Sequence, residues 1–236
     1  MIRLKNERDI IEIKRTIKIG ESILDEIASY LEPGIKTIII NNLIEIMIAK
    51  ERAFPSFKGY KGFPFASCIS INEEIIHGLP SERRLQNGDI VKIDIGIKRG
   101  EFYSDQARSY LIGEPKDYRH YELINTCKEA LTIASWACKS GNNLMDVSKI
   151  IYEIAKRDNF GILQGFGGHG VGFEVHEEPF VPNYAPYNDI ELKKGMVICL
   201  EPMFVLGKGI AQKSENGWTI ITDGISAHEE KTTIIE

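Results

Sequence analysis

The sequence predicts an α+β fold of two similar halves, and three observations carry that prediction. A pair of segments with helical apolar spacing is followed by β-type apolar runs, and the same order then recurs. The two helical entries look alike, with Pro33-Gly34 leading into NLIEIMIAKE and Ser140-Gly141 leading into KIIYEIAKRD. Between them, Asp89–Lys98 alternates apolar and polar residues, turns at Arg99-Gly100 and returns, which is a hairpin. A curved antiparallel sheet shared by both halves, with helices on one face, is the expected architecture over one domain, residues 1–236.

The elements follow in order. Glu7 to Leu31 repeats apolar residues at helical spacing and stops at Glu32-Pro33-Gly34, and a second helix is expected from Thr37 to Glu51. After the aromatic, glycine-rich loop 54–64, the segment Ser67–Ile76 reads as a strand closed by His77-Gly78. In Asp89–Lys98, Val91, Ile93, Ile95 and Ile97 alternate with Lys92, Asp94, Gly96 and Lys98, the period of a half-buried strand. Glu101–Ile112 is its partner. Helices are expected at Tyr118–Lys139 and Leu144–Asn159, and β-type runs at Gly195–Leu206 and Gly217–Glu236. Between these lies GFGGHGVGFEVHEEP, residues 165–179, so rich in glycine that it reads as neither regular helix nor strand but as a loop that places His169 and His176.

Composition excludes several classes of function. A chain of 236 residues with 43% hydrophobic content can bury a proper core. Net charge of -5 and a pI near 5.7 argue against binding nucleic acid or an anionic membrane, which needs clustered positive charge. No apolar stretch has the length of a signal peptide or membrane span, so a cytoplasmic location is expected. Cys68, Cys127, Cys138 and Cys199 form no CxxC pair and sit in apolar surroundings, which predicts buried thiols rather than disulfides or a thiolate zinc site.

Four acids are out of place in β-type runs: Asp94, Asp105, Glu201 and Glu230. With Arg99-Gly100 as a two-residue turn, Asp94 lies directly opposite Asp105 on one face of the hairpin. Like charges so placed repel, so the pair is solvated, shares a proton or holds a cation between its members. Glu201 follows Val197 and Cys199 on one strand face, where it needs a partner, and Pro202 behind it interrupts pairing. Glu230 enters a similar run, with Glu229 competing for its place. Together the four put negative charge on converging strands, and a dinuclear cation site is the economical way to neutralise it. His169, flanked by glycines, is either a loop histidine held by the backbone or a ligand. Oxygen donors with one imidazole and no thiolate suit Mn, Fe, Co or Zn. His77 and His176 have no carboxylate cluster of their own and read as hydrogen-bond donors to developing negative charge.

At these residues the chain resembles the type I methionine aminopeptidases of peptidase family M24, which have the pita-bread fold. The resemblance runs nearly end to end, through CISINEEIIHGLP (68–80), GDIVKIDIG (88–96), FYSD before the second acid, GGHGVG (167–172), VHEEP (175–179), GMVICLEPM (195–203), NGWT (216–219) and SAHEEKT (226–232). It implies that Asp94, Asp105, His169, Glu201 and Glu230 hold two divalent ions, with Asp105 and Glu230 bridging. It further implies catalytic places for His77, His176 and Glu201, and a substrate pocket lined by Phe57, Tyr60, Phe63, Cys68, His77, Val175, His176 and Trp218. The implied partner is the N-terminus of a peptide or nascent chain, with transient ribosome contact and a monomeric enzyme. The first helix begins almost at once, unlike the Xaa-Pro peptidases of the superfamily, which typically carry an extra N-terminal domain. The absence of a helical insertion between Pro179 and Glu201 points to type I. Non-catalytic peptide-binding relatives usually lose ligands, and all five are kept here. Departures from the pattern are His228 for a common glutamine, Lys231 for a common histidine, Gln106 for a small hydroxyl residue, Val175 for a frequent aromatic and Phe57 at a position often smaller.

Overall fold

In a computed structural model, which describes residues 1–184 and 190–236, the helices are α1 (Glu7–Ile27), α2 (Thr37–Lys50), α3 (Tyr118–Ala137) and α4 (Leu144–Arg157). The strands of the first half are β1 (Phe54–Pro55), β2 (Cys68–Ile71), β3 (Glu74–Ile76), β4 (Ile90–Arg99) and β5 (Phe102–Leu111). Those of the second half are β6 (Gly161–Ile162), β7 (Gly167–Gly170), β8 (Glu177–Pro182), β9 (Val197–Leu200), β10 (Met203–Val205), β11 (Ala211–Lys213), β12 (Ile220–Thr222), β13 (Ser226–His228) and β14 (Glu230–Ile234). The segment from Pro179 to Glu201, where no helical insertion is expected, includes 185–189, which lie outside the described residues.

Helix α1 starts where Asn6 accepts from the Asp9 backbone N–H and Asp9 returns the bond to Asn6, a reciprocal cap. Its last expected turn tightens into a 3-10 turn, Ala28–Tyr30, ahead of Pro33. The large sheet runs β1-β4-β5-β14-β9-β7-β8, with β2 also on β4, and every pairing is antiparallel. Its centre, β5 against β14, joins the two halves.

Register sets the faces of this sheet. Ile95, Gln106, Lys231 and Leu200 form one cross-strand row. Helices α1 and α2 cover Val91, Ile93, Ile95 and Ile97 at one end of that face, and α3 and α4 cover Ile198 and Leu200 at the other. The adjacent row, Asp94, Ala107 and Glu230, points the opposite way. Strand β4 is therefore buried on both faces from Ile90 to Ile97, not half-buried as its alternation suggests. Its polar face is enclosed by the site rather than by water.

Three other expectations are corrected. The hairpin turns at Gly100-Glu101, with Gly100 at φ 61° in the first central position, so Arg99 pairs with Phe102 and Asp94 faces Ala107 rather than Asp105. Asp105 faces Gly96, two residues along, and still shares the face of Asp94. The run Ser67–Ile76 breaks at Asn72, whose φ of 56° turns the chain from β2 in the large sheet to β3 in a small sheet with β12 and β11. The glycine-rich stretch contains β7 and leads into β8. Its glycines serve close packing: a Cβ on Gly168 would meet the Cys199 carbonyl oxygen at 2.0 Å, and one on Gly170 would meet that of Glu178 at 2.2 Å.

Candidate metal centre and substrate pocket

The floor of the pocket is assembled where strands leave the large sheet. Strand β9 ends at Leu200, and Glu201-Pro202 carries the chain into β10, which pairs with β13 in a second small sheet. The chain crosses back between β13 and β14 at Glu229, whose N–H bonds the Pro202 carbonyl. Extending the β9–β14 register by one residue sets Glu201 against Glu230. Where backbone pairing of β5 with β14 lapses, the Thr232 hydroxyl accepts from the Asp105 N–H at 2.8 Å and donates to its carbonyl at 2.9 Å. Asn183 donates to the Glu201 carbonyl at 2.6 Å. Each acid is thus held by its backbone, leaving the carboxylate free to face the cleft.

His169 completes the floor. Its Nδ1 lies 2.8 Å from the Gly170 carbonyl, which can only accept, so Nδ1 carries a hydrogen and Nε2 is the nitrogen turned toward the acids. Nε2 lies 3.1 Å from Glu201 Oε1 and 3.8 Å from Asp105 Oδ2. Glu229 is excluded from the floor, because its carboxylate accepts from the Ser109 N–H at 2.9 Å instead.

The charges of this floor are not balanced by protein. Asp94, Asp105 and Glu230 are 8%, 2% and 5% exposed, each with one buried carboxylate oxygen outside any hydrogen-bond geometry, and Glu201, 8% exposed, has only His169 beside its buried Oε1. Burial, with the Glu201 charge behind it, pushes the Asp94 carboxyl well up. Burial and the Asp94 charge do the same at Asp105, and burial and the Asp105 charge at Glu230. At Glu201 burial also acts upward, but the contact with His169 outweighs it and holds the carboxyl below its usual range. The same contact raises His169 against the effect of burial. Orphaned carboxylate oxygens around one imidazole are a donor set fitted to divalent cations.

The walls come from loops. Gly96 has no side chain because a Cβ there would meet Phe57 Cε1 at 2.6 Å, so the first loop lies close over β4. Phe57, Phe63, Cys68 and Val175 form a buried apolar cluster, with Tyr60 and Trp218 packed against it. Phe63 meets Trp218 edge-on at 5.2 Å between centroids. His176 stands exposed at the rim, stacked on Tyr60 at 5.3 Å and 4.2 Å from the His169 ring. His77, at φ 57°, is turned in where Gly78 folds back onto β2.

Phe57, Tyr60, Phe63, Cys68, His77, His176 and Trp218 all line one pocket with Asp94, Asp105, His169, Glu201 and Glu230. Val175 is set behind that lining, in the apolar cluster. Lys61, Ile76 and His228 also line it, and sequence reasoning did not place them there. Lys61 and Ile76 adjoin residues already singled out, and His228 stood out only as a departure from a resemblance. Of the other departures, Phe57 and Val175 belong to the wall, whereas Gln106 donates to the Ile17 carbonyl on α1 beside Gly20 and Lys231 is exposed. The four cysteines are free and buried, as expected.

Comparison with known proteins gives this arrangement its class. The profile of metallopeptidase family M24 matches residues 12–236, and the chain belongs to that family. Within it the chain stands among the methionine aminopeptidases. That of Borreliella burgdorferi is 40% identical over 99% of this chain and 94% of its own length. The crystal structure of methionine aminopeptidase from Thermotoga maritima superposes with a TM-score of 0.97 at 37% identity, covering 100% of this chain and 96% of that one. Prolidase from Pyrococcus furiosus shares the pita-bread fold at a TM-score of 0.80 and 25% identity, but this chain spans only 62% of it.

Proposed function

We propose that residues 1–236 act as one catalytic unit that removes the N-terminal methionine from peptides and nascent chains, favouring a small second residue. The observation that carries this reading is the meeting, in one pocket, of a buried carboxylate–imidazole floor and an aromatic, sulfur-lined wall. Asp94, Asp105, His169, Glu201 and Glu230 are the residues that would hold two divalent ions of Co, Mn, Fe or Zn. When bound, such ions supply a water that is nucleophilic near neutral pH. The wall of Phe57, Tyr60, Phe63, Cys68, His77 and Trp218, backed by Val175, takes the flexible, polarizable methionine side chain. That places the first peptide bond over the floor. The Glu201 carboxylate accepts the attacking water's proton and passes it to the leaving amine. His176 and His77, at the rim, donate to the substrate amide and to the negative charge that grows on its carbonyl oxygen. By the same resemblance the enzyme is a cytoplasmic monomer that meets the ribosome transiently, and no helix among the described residues is long and apolar enough to cross a membrane.

The test is release of free methionine from Met-Ala-Ser and Met-Leu-Ser, beside an Xaa-Pro peptide, by protein stripped of metal and given each divalent ion in turn. Cleavage of Met-Ala-Ser in preference to Met-Leu-Ser, dependent on added ion, is expected. Hydrolysis of the Xaa-Pro peptide alone, or ion-independent cleavage, would overturn the reading.

A further inference from the structure

His228 lies on the pocket floor with no role in the scheme above. It ends β13, directly opposite Met203, at the point where both chain crossings between sheets occur. Its backbone is clamped by Ser109, whose hydroxyl accepts from the His228 N–H at 3.0 Å and donates to its carbonyl at 2.8 Å. The ring is 1% exposed, and neither Nδ1 nor Nε2 has a hydrogen-bond partner. A buried polar group left without a partner costs about 1–3 kcal/mol, so two such nitrogens on one rigidly held ring call for a reason.

The distances supply one. Nε2 is 3.9 Å from Glu201 Oε2 and 3.9 Å from Glu230 Oε2. That is too long for a hydrogen bond to either carboxylate. It is, however, within the span of two donors on a common ion, which with bonds of about 2.1 Å reaches about 4.2 Å. The three side chains surround a space that a hydrogen bond leaves open and a cation would close.

We propose that His228 is a further protein ligand of the metal centre, giving Nε2 to the ion that Glu201 and Glu230 share. The proposal rests on the reading of the floor as a metal site. It adds a second imidazole to the one supplied by His169. A second nitrogen donor tilts the centre from Mn(II), which prefers oxygen, toward Co(II) and Zn(II). His228 would thereby act on metal selection, a property of the resting enzyme that can be read without substrate.

The test uses the full-length chain, stripped by chelation. Pulsed electron paramagnetic resonance of the Mn(II)-loaded protein, with histidine nitrogen labelled as 15N, counts the coordinated imidazoles directly. Two are expected in the unmodified protein and one in His228→Gln. Titration calorimetry should show Co(II) affinity falling by at least about 10–100-fold in His228→Gln, the range that even an outer partner of a ligand controls, with a smaller loss for Mn(II). A single imidazole coupling in the unmodified protein overturns the proposal and leaves the five-residue site standing, and this result does not depend on the variant folding. Equal Co(II) affinity in a His228→Gln protein with an unchanged circular dichroism spectrum overturns it as well. Failure of the unmodified protein to bind either ion would remove the metal site and this ligand together.

Discussion

The floor and the walls of the pocket are equally well buried at their centres but obey opposite rules. On the floor, Asp94, Asp105, Glu201 and Glu230 lie on strands or at their immediate ends, and all but Glu201, which meets His169, keep a carboxylate oxygen without a partner. In the walls, Phe57, Phe63 and Cys68 lie almost as deep, yet they pack on one another as an ordinary core does. Buried, unbalanced charge destabilises a chain unless something else binds it, whereas a buried aromatic ring stabilises the fold whether or not a ligand ever arrives. The floor therefore declares its function through a cost, and the walls declare theirs only through their position beside the floor.

The sharpest way to break this contrast is to change the floor where catalysis and structure separate. Glu201→Gln keeps the shape and removes the proposed proton acceptor, so turnover of Met-Ala-Ser should fall by about 10²–10⁴-fold or more. A variant with near-unmodified kcat would remove Glu201 from its role as base. His176→Ala, at the exposed rim, should lower kcat by about 10²–10³-fold through loss of one donor to the oxyanion, with the melting temperature little changed. Unchanged kcat/KM would take it out of the active site.

A third substitution tests the cost itself. In metal-stripped protein, burial and the Asp94 charge raise the Asp105 carboxyl, so the folded chain holds a proton there that the unfolded chain gives up above its ordinary value. Stability contributed at this position is present at low pH and is lost as pH rises through the raised pKa. Asparagine has no such loss. Asp105→Asn should therefore stabilise the stripped protein by about 1 kcal/mol, an effect that grows between pH 4 and 8, while weakening binding of the ions. Thermal melts of stripped and loaded protein across that range check both halves of the statement. A stripped variant that melts lower than the unmodified chain at pH 8 would mean the floor is compensated without metal.

The same asymmetry explains what was legible in the sequence. The helices, the β4–β5 hairpin and the misplaced acids follow from periodicity and from the rule that charge avoids cores, so they were readable one residue at a time. The hairpin register was not, because Arg99-Gly100 and Gly100-Glu101 are both plausible two-residue turns. The structure selects the one that puts Gly100 where φ is positive. That slip moved Asp105 from beside Asp94 to a diagonal position but kept its face, since a hairpin shifted by one residue in each strand preserves the side-chain parity. The breaks at Asn72, Glu201 and Glu229 were harder, because a change of sheet is a tertiary event inside a continuous β-type run. Only Pro202 announced one of them. The glycines at 167, 168 and 170 serve closeness rather than freedom, and sequence cannot distinguish a missing side chain that allows a turn from one that makes room. His228 carries no local signal at all. Its ring is notable for two nitrogens without partners, a property of the folded molecule alone.

The walls should respond to substitution far more mildly than the floor, and Phe63 is the place to measure it. It is 4% exposed and touches Trp218 edge-on, with Phe65 on another side at 6.2 Å. Phe63→Leu keeps an apolar side chain in the cluster but removes the ring that would meet the methionine sulfur, a contact worth about 0.3–1.5 kcal/mol. On Met-Ala-Ser, kcat/KM should therefore fall by about two- to tenfold. Because the lost contact is with the bound side chain in ground and transition states alike, the change should sit in KM rather than kcat. No carboxylate or imidazole of the floor moves with it, so Co(II) affinity should stay as it was. A drop in metal affinity on this substitution would show that the aromatic wall and the acidic floor are one mechanical unit, and the division between them would fail.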